Sequence, residues 1–234
     1  MSAQEVITQL KSFASDSRRK SNQYYFKTGP GEYSEFDQFI GVRTPQIRSI
    51  AKQYYQQISF DEIDQLINHT THEIRYCGLI ILVYQYQSNN QEAVFNYYLN
   101  HLHAVNNWDL VDYSSPHIIG DYLLKHPQKH TLLYQWASSD NLWERRIAIV
   151  STLTFIKQNQ FKLTLAISQL LLKDSQDLIH KAVGWMLREV YKKDADTCKI
   201  FLRENYAQLP RTTLRYAIER MAEIERKAYL KGGF

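Results

Sequence analysis

Helical hydrophobic periodicity recurs along this chain about every 35 residues. Arg75, Arg146, Lys181 and Arg215 take similar places near the starts of successive predicted helices, at steps of 71, 35 and 34 residues. The first step spans two periods, and the segment Trp108–Leu123 fills the skipped unit in register. Helical pairs of this period bury their apolar faces on their neighbours. The sequence therefore predicts an all-α fold, an α-α superhelix (solenoid).

The predicted helices alternate with short polar connections. Apolar residues from Ile63 to Leu82 mark two helices separated near residues 68–71. Three later pairs are predicted at His130–Ala137 with Glu144–Ile156, at Phe161–Leu172 with Leu178–Tyr191, and at Asp194–Glu204 with Thr212–Ala222. Only Phe39–Arg43 reads ambiguously as a short strand. Residues 1–234 are expected to form a single repeat domain.

Composition excludes several classes of protein. With 8 Gly and 5 Pro, the chain has too few turn residues for a β-sandwich, and 44% hydrophobic content argues against disorder. Cys77 and Cys198 lie far apart outside any C-x-x-C pair, so neither a zinc site nor a disulfide framework is expected. The apolar run Leu79–Tyr84 is too short for a membrane span. We expect a soluble, cytoplasmic protein without a metal site.

Basic residues recur at equivalent places of the repeats. Lys plus Arg number 28 against 24 acidic residues, a net charge of +4 that many proteins without a nucleic-acid role share. A line of Arg and Lys along one concave face of a solenoid could follow a phosphate backbone, although such residues are usually a solvated face.

The densest polar cluster is NNWDLVDYSSPH, residues 106–117. Trp108 and Asp112 are four residues apart and share one helix face, whereas Leu110 and Val111 point into the core. A carboxylate beside an indole is a poor core pair, which favours a functional use. The alternative is that Asp109 or Asp112 caps a helix or pairs with an Arg.

Two further clusters lie in later repeats. In NLWERRIA, residues 141–148, Arg145 and Arg146 face different directions, so one can form a surface ion pair while the other faces a groove. In DLIHKAVGWMLRE, residues 177–189, Lys181, Trp185 and Arg188 form one stripe. A lone Trp there is more often core. Gly184 inside this helix predicts close packing or close approach of a ligand.

These three clusters, with YFKTG at 25–29 and GVRTP at 41–45, resemble the signature segments of the AlkD DNA alkylation-repair family over residues 24–230. The resemblance implies a solenoid of HEAT-like repeats with a concave DNA-binding face. It also implies that Trp108 and Trp185 pack against deoxyribose around the damaged nucleotide. Asp112 would be the carboxylate essential for excision, and Arg146 an arginine that contacts DNA in the active-site cleft.

The resemblance further implies a monofunctional glycosylase of base excision repair. It would release cationic N3- and N7-alkylpurines, 3-methyladenine and 7-methylguanine, from duplex DNA without flipping the base and without lyase activity. No cofactor and no obligate protein partner are expected, and the chain is expected to act as a monomer, associated with the nucleoid when on DNA. Further candidates for phosphate contact are Lys27, Arg43, Arg48, Lys181 and Arg188.

Three other functions fit the same pattern. A helical solenoid can bind nucleic acid without chemistry, or serve as a scaffold for protein partners. An enzyme of a related clade with another adduct preference is the third. Base release from alkylated DNA would distinguish the enzymes from the two binding proteins.

Overall fold

The computed structural model describes residues 2–88 and 90–234. It divides into two compact units, residues 1–114 and 115–234. The helices of the first unit are α1 (Ala3–Ser12), α2 (Asp16–Tyr25), α3 (Thr44–Tyr54), α4 (Phe60–Ile67), α5 (His72–Gln87), α6 (Gln91–Asn100) and α7 (Trp108–Ser115), with a 3-10 turn at Leu102–Ala104. The last residue of α7 already belongs to the second unit.

In the second unit a π-helical turn, Pro116–Gly120, precedes the α-helices. These are α8 (Asp121–Lys125), α9 (Thr131–Ala137), α10 (Leu142–Ser151), α11 (Leu153–Lys157), α12 (Lys162–Leu171), α13 (Asp177–Lys193), α14 (Ala195–Glu204), α15 (Arg211–Ala217) and α16 (Glu223–Lys231). Short 3-10 turns lie at Pro127–Lys129 and Tyr206–Gln208. The prediction of an all-α fold is confirmed.

The predicted period is visible in the helix boundaries. The second helices of successive pairs begin at His72, Trp108, Leu142, Asp177 and Arg211, which are 34 to 36 residues apart. Local chemistry accounts for the start of α10. Asn141 accepts a hydrogen bond from the Trp143 N–H at 2.8 Å and so caps α10. Helical pairs of the predicted length therefore form in both units.

One long helix forms the centre of each unit. In the first unit α5 packs against α3 and α4, and its apolar residues between Ile74 and Val83 are buried. In the second unit α13 packs against α10, α14 and α15. A Cβ at Gly184 of α13 would lie 2.5 Å from Tyr216 Cβ and 2.7 Å from the Thr213 carbonyl oxygen, so close packing against α15 requires this glycine.

The segment Phe39–Arg43 is not a strand. Among the described residues, its surroundings contain only a single isolated bridge, between Gln38 and Thr71. Gly41 has a φ of +80°, and a Cβ there would lie 2.2 Å from the Ser15 carbonyl oxygen. The left-handed conformation and the close approach of α2 break the alternation that a strand needs.

Two other predictions are wrong in detail. The helix predicted at Thr212–Ala222 ends at Ala217. The prediction extended too far because Ile218 and Met221, which lie in an irregular turn, are also buried and continue the apolar pattern. The predicted line of basic residues is also broken, since Arg75 and Arg146 are only 5% exposed. Arg75 is the fourth residue of its helix, which turns it by about 100° from the fifth position that Arg146, Lys181 and Arg215 share; Arg146 is in register and is nevertheless buried.

Candidate active site

The start of α7 presents the predicted indole and carboxylate together. Trp108 is the first residue of α7, and Asp112 lies one turn later on the same face; both are partly exposed. Leu110 and Val111 are fully buried, as predicted. The Asn107 side-chain oxygen accepts a hydrogen bond from the Trp108 N–H at 2.7 Å. Burial of one face therefore leaves the opposite face of α7 for solvent or a ligand.

The Trp108 indole is held by other rings. It stacks on Phe26 with a centroid distance of 5.1 Å and an interplanar angle of 12°. Phe26 stacks in turn on Phe39 at 5.0 Å, and the edge of Tyr25 meets Trp108 at 5.7 Å. The indole Nε1–H donates to the Tyr33 hydroxyl at 3.2 Å. Ring contacts and a hydrogen bond together fix the orientation of the indole.

A buried group of charges lies beneath this stack. His72 is 2% exposed and joins two carboxylates: its Nδ1 lies 3.2 Å from Asp37 Oδ2, and its Nε2 lies 2.8 Å from Asp109 Oδ2. Arg75 Nη2 donates to Asp37 Oδ1 at 2.6 Å. Asn107 also donates to Asp37, at 2.9 Å. The start of α7 is thus bonded to α5 and to the segment that contains Asp37.

The contacts within this group shift the pKa values of His72 and Asp37. Burial opposes a charge on His72, but the negative charge and hydrogen bond of Asp109, with the hydrogen bond of Asp37, outweigh it and raise the His72 pKa to about 9. Burial raises the Asp37 pKa, but the hydrogen bond and charge of His72 and the charge of Arg75 outweigh this effect and lower the Asp37 pKa to about 2. At neutral pH the imidazolium and the Arg75 guanidinium therefore balance two carboxylates.

Glu73, next to His72, orders the neighbouring segment. Its carboxylate accepts hydrogen bonds from the Ile40 N–H at 3.1 Å, the Gly41 N–H at 2.8 Å and the Asn22 side chain at 3.2 Å. These bonds connect α2 and the segment Phe39–Arg43 to the start of α5. Phe39 stacks on the His72 ring at 4.8 Å, so this segment also supports the charge group.

In the second unit, Arg145 and Arg146 face different directions, as the sequence predicts. Arg145 Nε pairs with Asp174 at 2.6 Å, and its Nη1 donates to the Ser139 carbonyl oxygen at 2.9 Å. Arg146 is buried, and its Nη1 donates to the Leu178 carbonyl oxygen at 2.6 Å. Arg145 therefore forms the ion pair that the sequence predicts for one of the two, and this pair is partly buried. The DNA contact of Arg146 stays a prediction.

The stripe on α13 combines a partly exposed Trp185 with two paired cations. Lys181 Nζ lies 2.7 Å from Asp177 Oδ2. Arg188 pairs with Glu219 and lies 3.6 Å from Glu189 Oε1. Carboxylates therefore already neutralise these two candidates for phosphate contact, and a phosphate would have to compete with them.

The remaining basic candidates lie in the first unit, and all three are exposed. Lys27 has a φ of 60°, and its Nζ lies 3.9 Å from Glu32 Oε1. The Arg48 guanidinium lies 5.2 Å from the centroid of the Tyr113 ring. Arg43 precedes α3 without capping it through its side chain. The structure thus places all three at the surface, and contact with DNA stays a prediction for each.

Sequence reasoning missed the charge group of Asp37, His72 and Asp109, and the role of Phe26. These residues come from segments up to 83 residues apart. A sequence clue was present in His72, Glu73 and Arg75, three polar residues that open a helix whose later residues are almost all apolar. Buried ionisable residues need partners, so this pattern indicates a polar cluster elsewhere in the unit.

The described residues contain no group of three His, Cys, Asp or Glu side chains arranged to hold a metal ion. In the part of the chain that the structure describes, none of the helices has the length and apolar character required to cross a bilayer.

The fold is similar to those of solved structures. A solved structure of a predicted DNA alkylation repair enzyme from Enterococcus faecalis superposes with a TM-score of 0.72 at 18% identity, covering 90% of this chain and 97% of that one. The structure of smu.31 from Streptococcus mutans UA159 gives a TM-score of 0.53 at 18% identity, covering 94% of this chain and 99% of that one. A search of curated proteins found no match. The model of the family described as DNA alkylation repair enzyme matches residues 6–221, and the chain belongs to this family.

Proposed function

We propose that the protein is a monofunctional DNA glycosylase that hydrolyses the N-glycosidic bond of cationic N3- and N7-alkylpurines in duplex DNA. The observation that carries this proposal is the partly exposed pair of Trp108 and Asp112 on one face of α7. Trp108 stacks on Phe26, and the start of α7 is bonded to a buried group of balanced charges. Such a support holds reacting groups in place without a reorganisation cost during the reaction.

The chemistry requires little from a general acid. An N3-alkyladenine or N7-alkylguanine is already positively charged, so the base leaves readily without protonation. The sugar becomes cationic and oxocarbenium-like as the bond breaks. The Asp112 carboxylate would stabilise that charge and orient the attacking water at C1′. Two opposite charges 4 Å apart attract by about 4 kcal/mol at an effective dielectric constant of 20.

The indoles would add a second favourable contribution. A cation over an indole face gains about 0.5–2 kcal/mol, and the gain grows as the sugar becomes positive. We assign this role to Trp108, whose ring orientation Phe26 and Tyr33 fix. Trp185 and Arg146 are carried over from the family resemblance as further contacts to the sugar and backbone. Trp185 is partly exposed, and Arg146 keeps only 5% of its surface for such a contact.

In this proposal the protein binds the sugar and phosphates of the damaged nucleotide and does not flip the damaged base into a pocket. Selectivity then comes from the lability of the cationic lesion itself. No lyase step is included, because β-elimination needs an amine nucleophile and the polar clusters supply none with that role. The partner is duplex DNA, bound by a single copy of the chain.

The test is base release from methylated duplex DNA, with the freed bases identified by mass spectrometry. Wild-type protein should release 7-methylguanine and 3-methyladenine and leave an abasic strand that breaks only after alkali. Asp112→Asn should lower the release rate about 100-fold or more, the size expected for one lost electrostatic contact to a transition state. Its affinity for duplex DNA should be equal or slightly tighter, because a negative charge near the phosphates is removed.

Asp61→Asn is the matched control, because Asp61 is an exposed aspartate in the first turn of α4. This variant should release bases at the wild-type rate. Absence of base release by the wild-type protein, together with tight binding to duplex DNA, would instead identify a non-catalytic DNA-binding protein.

A further inference from the structure

The net charge of the chain is unevenly divided between its two units. Residues 1–114 contain 9 Lys and Arg against 12 Asp and Glu, a net charge of −3, whereas residues 115–234 contain 19 against 12, a net charge of +7. Duplex DNA is a dense row of negative charges, and neutralisation of its phosphates supplies much of the affinity of DNA-binding proteins. The excess positive charge that could attract DNA therefore lies in the second unit.

Within the second unit, α15 carries basic residues and no acidic residue. Its sequence is RTTLRYA, and both Arg211 and Arg215 are exposed. Thr213, Leu214 and Ala217 are buried where α15 packs against α13. Residues four apart are neighbours on a helix surface, so the two arginines lie on the same exposed side of α15.

The helices α13 and α15 run side by side in the same direction. Near their starts, Thr212 Oγ1 of α15 donates to Asp177 Oδ1 of α13 at 3.1 Å. Later along both helices, Glu219, two residues beyond the end of α15, pairs with Arg188 of α13. Because both contacts advance along the two chains in the same order, the helices are parallel neighbours.

Trp185 and Arg215 point to the same side of this helix pair. Between the two contacts, a Cβ on Gly184 would lie 2.5 Å from Tyr216 Cβ, so these residues face each other across the pair. Trp185 follows Gly184, and Arg215 precedes Tyr216. Each residue step turns a side chain by about 100°, and a step forward on one helix and a step back on its parallel neighbour turn both side chains to one side. The partly exposed indole and the exposed guanidinium therefore belong to one surface, the α13–α15 surface.

Arg215 differs from the other basic residues of the α13–α15 surface because its side chain has no partner. Lys181 and Arg188 pair with carboxylates, and Arg211 Nη2 donates to the Leu230 carbonyl oxygen at 2.8 Å. Within residues 2–88 and 90–234, the Arg215 side chain takes part in no ion pair, hydrogen bond or ring contact. A guanidinium presents five N–H donors in one plane, which match the oxygens of a phosphate. Arg215 can therefore bind a phosphate without first breaking a contact within the protein.

From these observations we infer that the α13–α15 surface binds the phosphate backbone of duplex DNA, with Arg215 as its phosphate ligand. Arg215 contacts a phosphate next to the sugar that packs against Trp185. The positive charge of the second unit attracts the duplex to this surface, and Arg215 fixes one point of the backbone on it. The inference rests on the proposed function for its partner, duplex DNA, but it does not require that a base is released.

The test is the salt dependence of duplex binding, measured by fluorescence anisotropy with the full chain and an unmodified, labelled duplex. Each phosphate contact adds about 0.9 to the slope of log Kd against log salt concentration. Arg215→Ala should therefore lower this slope by about 0.9 and weaken binding about eightfold at ~0.1 M salt. Arg215→Lys keeps the positive charge and should retain the wild-type slope.

Arg226→Ala is the matched control, because Arg226 is an exposed arginine on α16 of the same unit and its loss changes the net charge equally. This control should bind the duplex with the wild-type slope and affinity. Wild-type binding by Arg215→Ala, equal losses in the two alanine variants, or a lowered slope in Arg215→Lys would each overturn the inference. Both alanine variants should melt with the wild-type protein; a much lower melting temperature of Arg215→Ala would show a structural role instead and would also overturn it.

Base release from methylated duplex DNA is measured separately, so the two proposals can fail independently. If the wild-type protein releases bases and Arg215→Ala binds the duplex as the wild type does, only this inference fails. If Arg215→Ala lowers the slope and the wild type releases no base, the surface binds DNA and only the glycosylase proposal fails. Absence of duplex binding by the wild-type protein would overturn this inference whatever the outcome of the base-release assay.

Discussion

Replacing His72 with Gln would test whether one buried imidazolium stabilises the carboxylates of Asp37 and Asp109. Gln is uncharged, so Asp37 would keep its ion pair with Arg75, whereas Asp109 would lose its ion pair with His72. Removing one partner of a buried ion pair typically costs about 3–5 kcal/mol of folding free energy. The rise in the His72 pKa from 6.5 to about 9 points in the same direction. It corresponds to roughly 3 kcal/mol of stabilisation, at 1.36 kcal/mol per pKa unit.

The pH dependence has a definite sign. The folded-state pKa of His72 is raised, so its contribution to the free energy of unfolding is complete below pH 6.5 and is lost as the pH rises through about 9. The wild-type protein should therefore lose about 3 kcal/mol over this interval relative to His72→Gln, which has no such group. At pH 6, we expect the variant to melt about 6–20 °C below the wild-type protein, at roughly 2–4 °C per kcal/mol for a chain of this size.

The assay is urea unfolding followed by far-UV circular dichroism between pH 6 and pH 10. His103→Gln is the matched control, because His103 is exposed, and it should follow the wild-type profile. The double variant His72→Gln/Asp109→Asn should recover part of the loss, because it also removes one stranded carboxylate. Parallel profiles of wild type and His72→Gln across pH 6.5–9 would refute the reasoning, because His72 could not then be a buried imidazolium.

Two further predictions concern packing and thiol reactivity. Gly184→Ala should destabilise the protein by about 1–3 kcal/mol despite the better helix propensity of Ala, because the new methyl would meet the Thr213 backbone oxygen at 2.7 Å. Gly233→Ala, which would meet nothing within 4 Å, should be nearly neutral in the same thermal unfolding assay, and equal melting temperatures for the two variants would contradict the close packing. Burial raises the pKa of the Cys198 thiol to about 12 and raises that of Cys77 as well. Neither thiol should react with Ellman's reagent at pH 8 until denaturant is added, and rapid reaction of the native protein would show that one of them is accessible.

The helices could be predicted because their signals are local. Apolar residues at helical spacing and polar connections such as residues 138–141 indicated the pairs, and the observed starts repeat at 34 to 36 residues. The end of α15 could not be predicted, because Ile218 and Met221 are buried beyond the last helical turn. An apolar pattern indicates which residues are buried, and it does not by itself show where a helix ends.

The candidate site was predictable only in part. Trp108 and Asp112 stand out within one short motif, and their shared face follows from a separation of four residues. The contacts that hold the start of α7 in place do not follow from the spacing, because they join residues that are distant in sequence. His72 is 35 residues from Asp37 and 37 from Asp109, and Asn107 reaches Ser34 across 73 residues.

The amino-acid sequence alone determined the helical class, the repeat length and the residues that lie on each helix face, because these depend on spacing along the chain. Tertiary structure alone decided which charges are buried and what each one contacts. Arg75 and Arg146 looked like members of an exposed basic line, yet both are enclosed by their neighbours. The free energy of a charge depends on the groups and solvent around it in space, and the spacing of residues along a helix does not specify those surroundings.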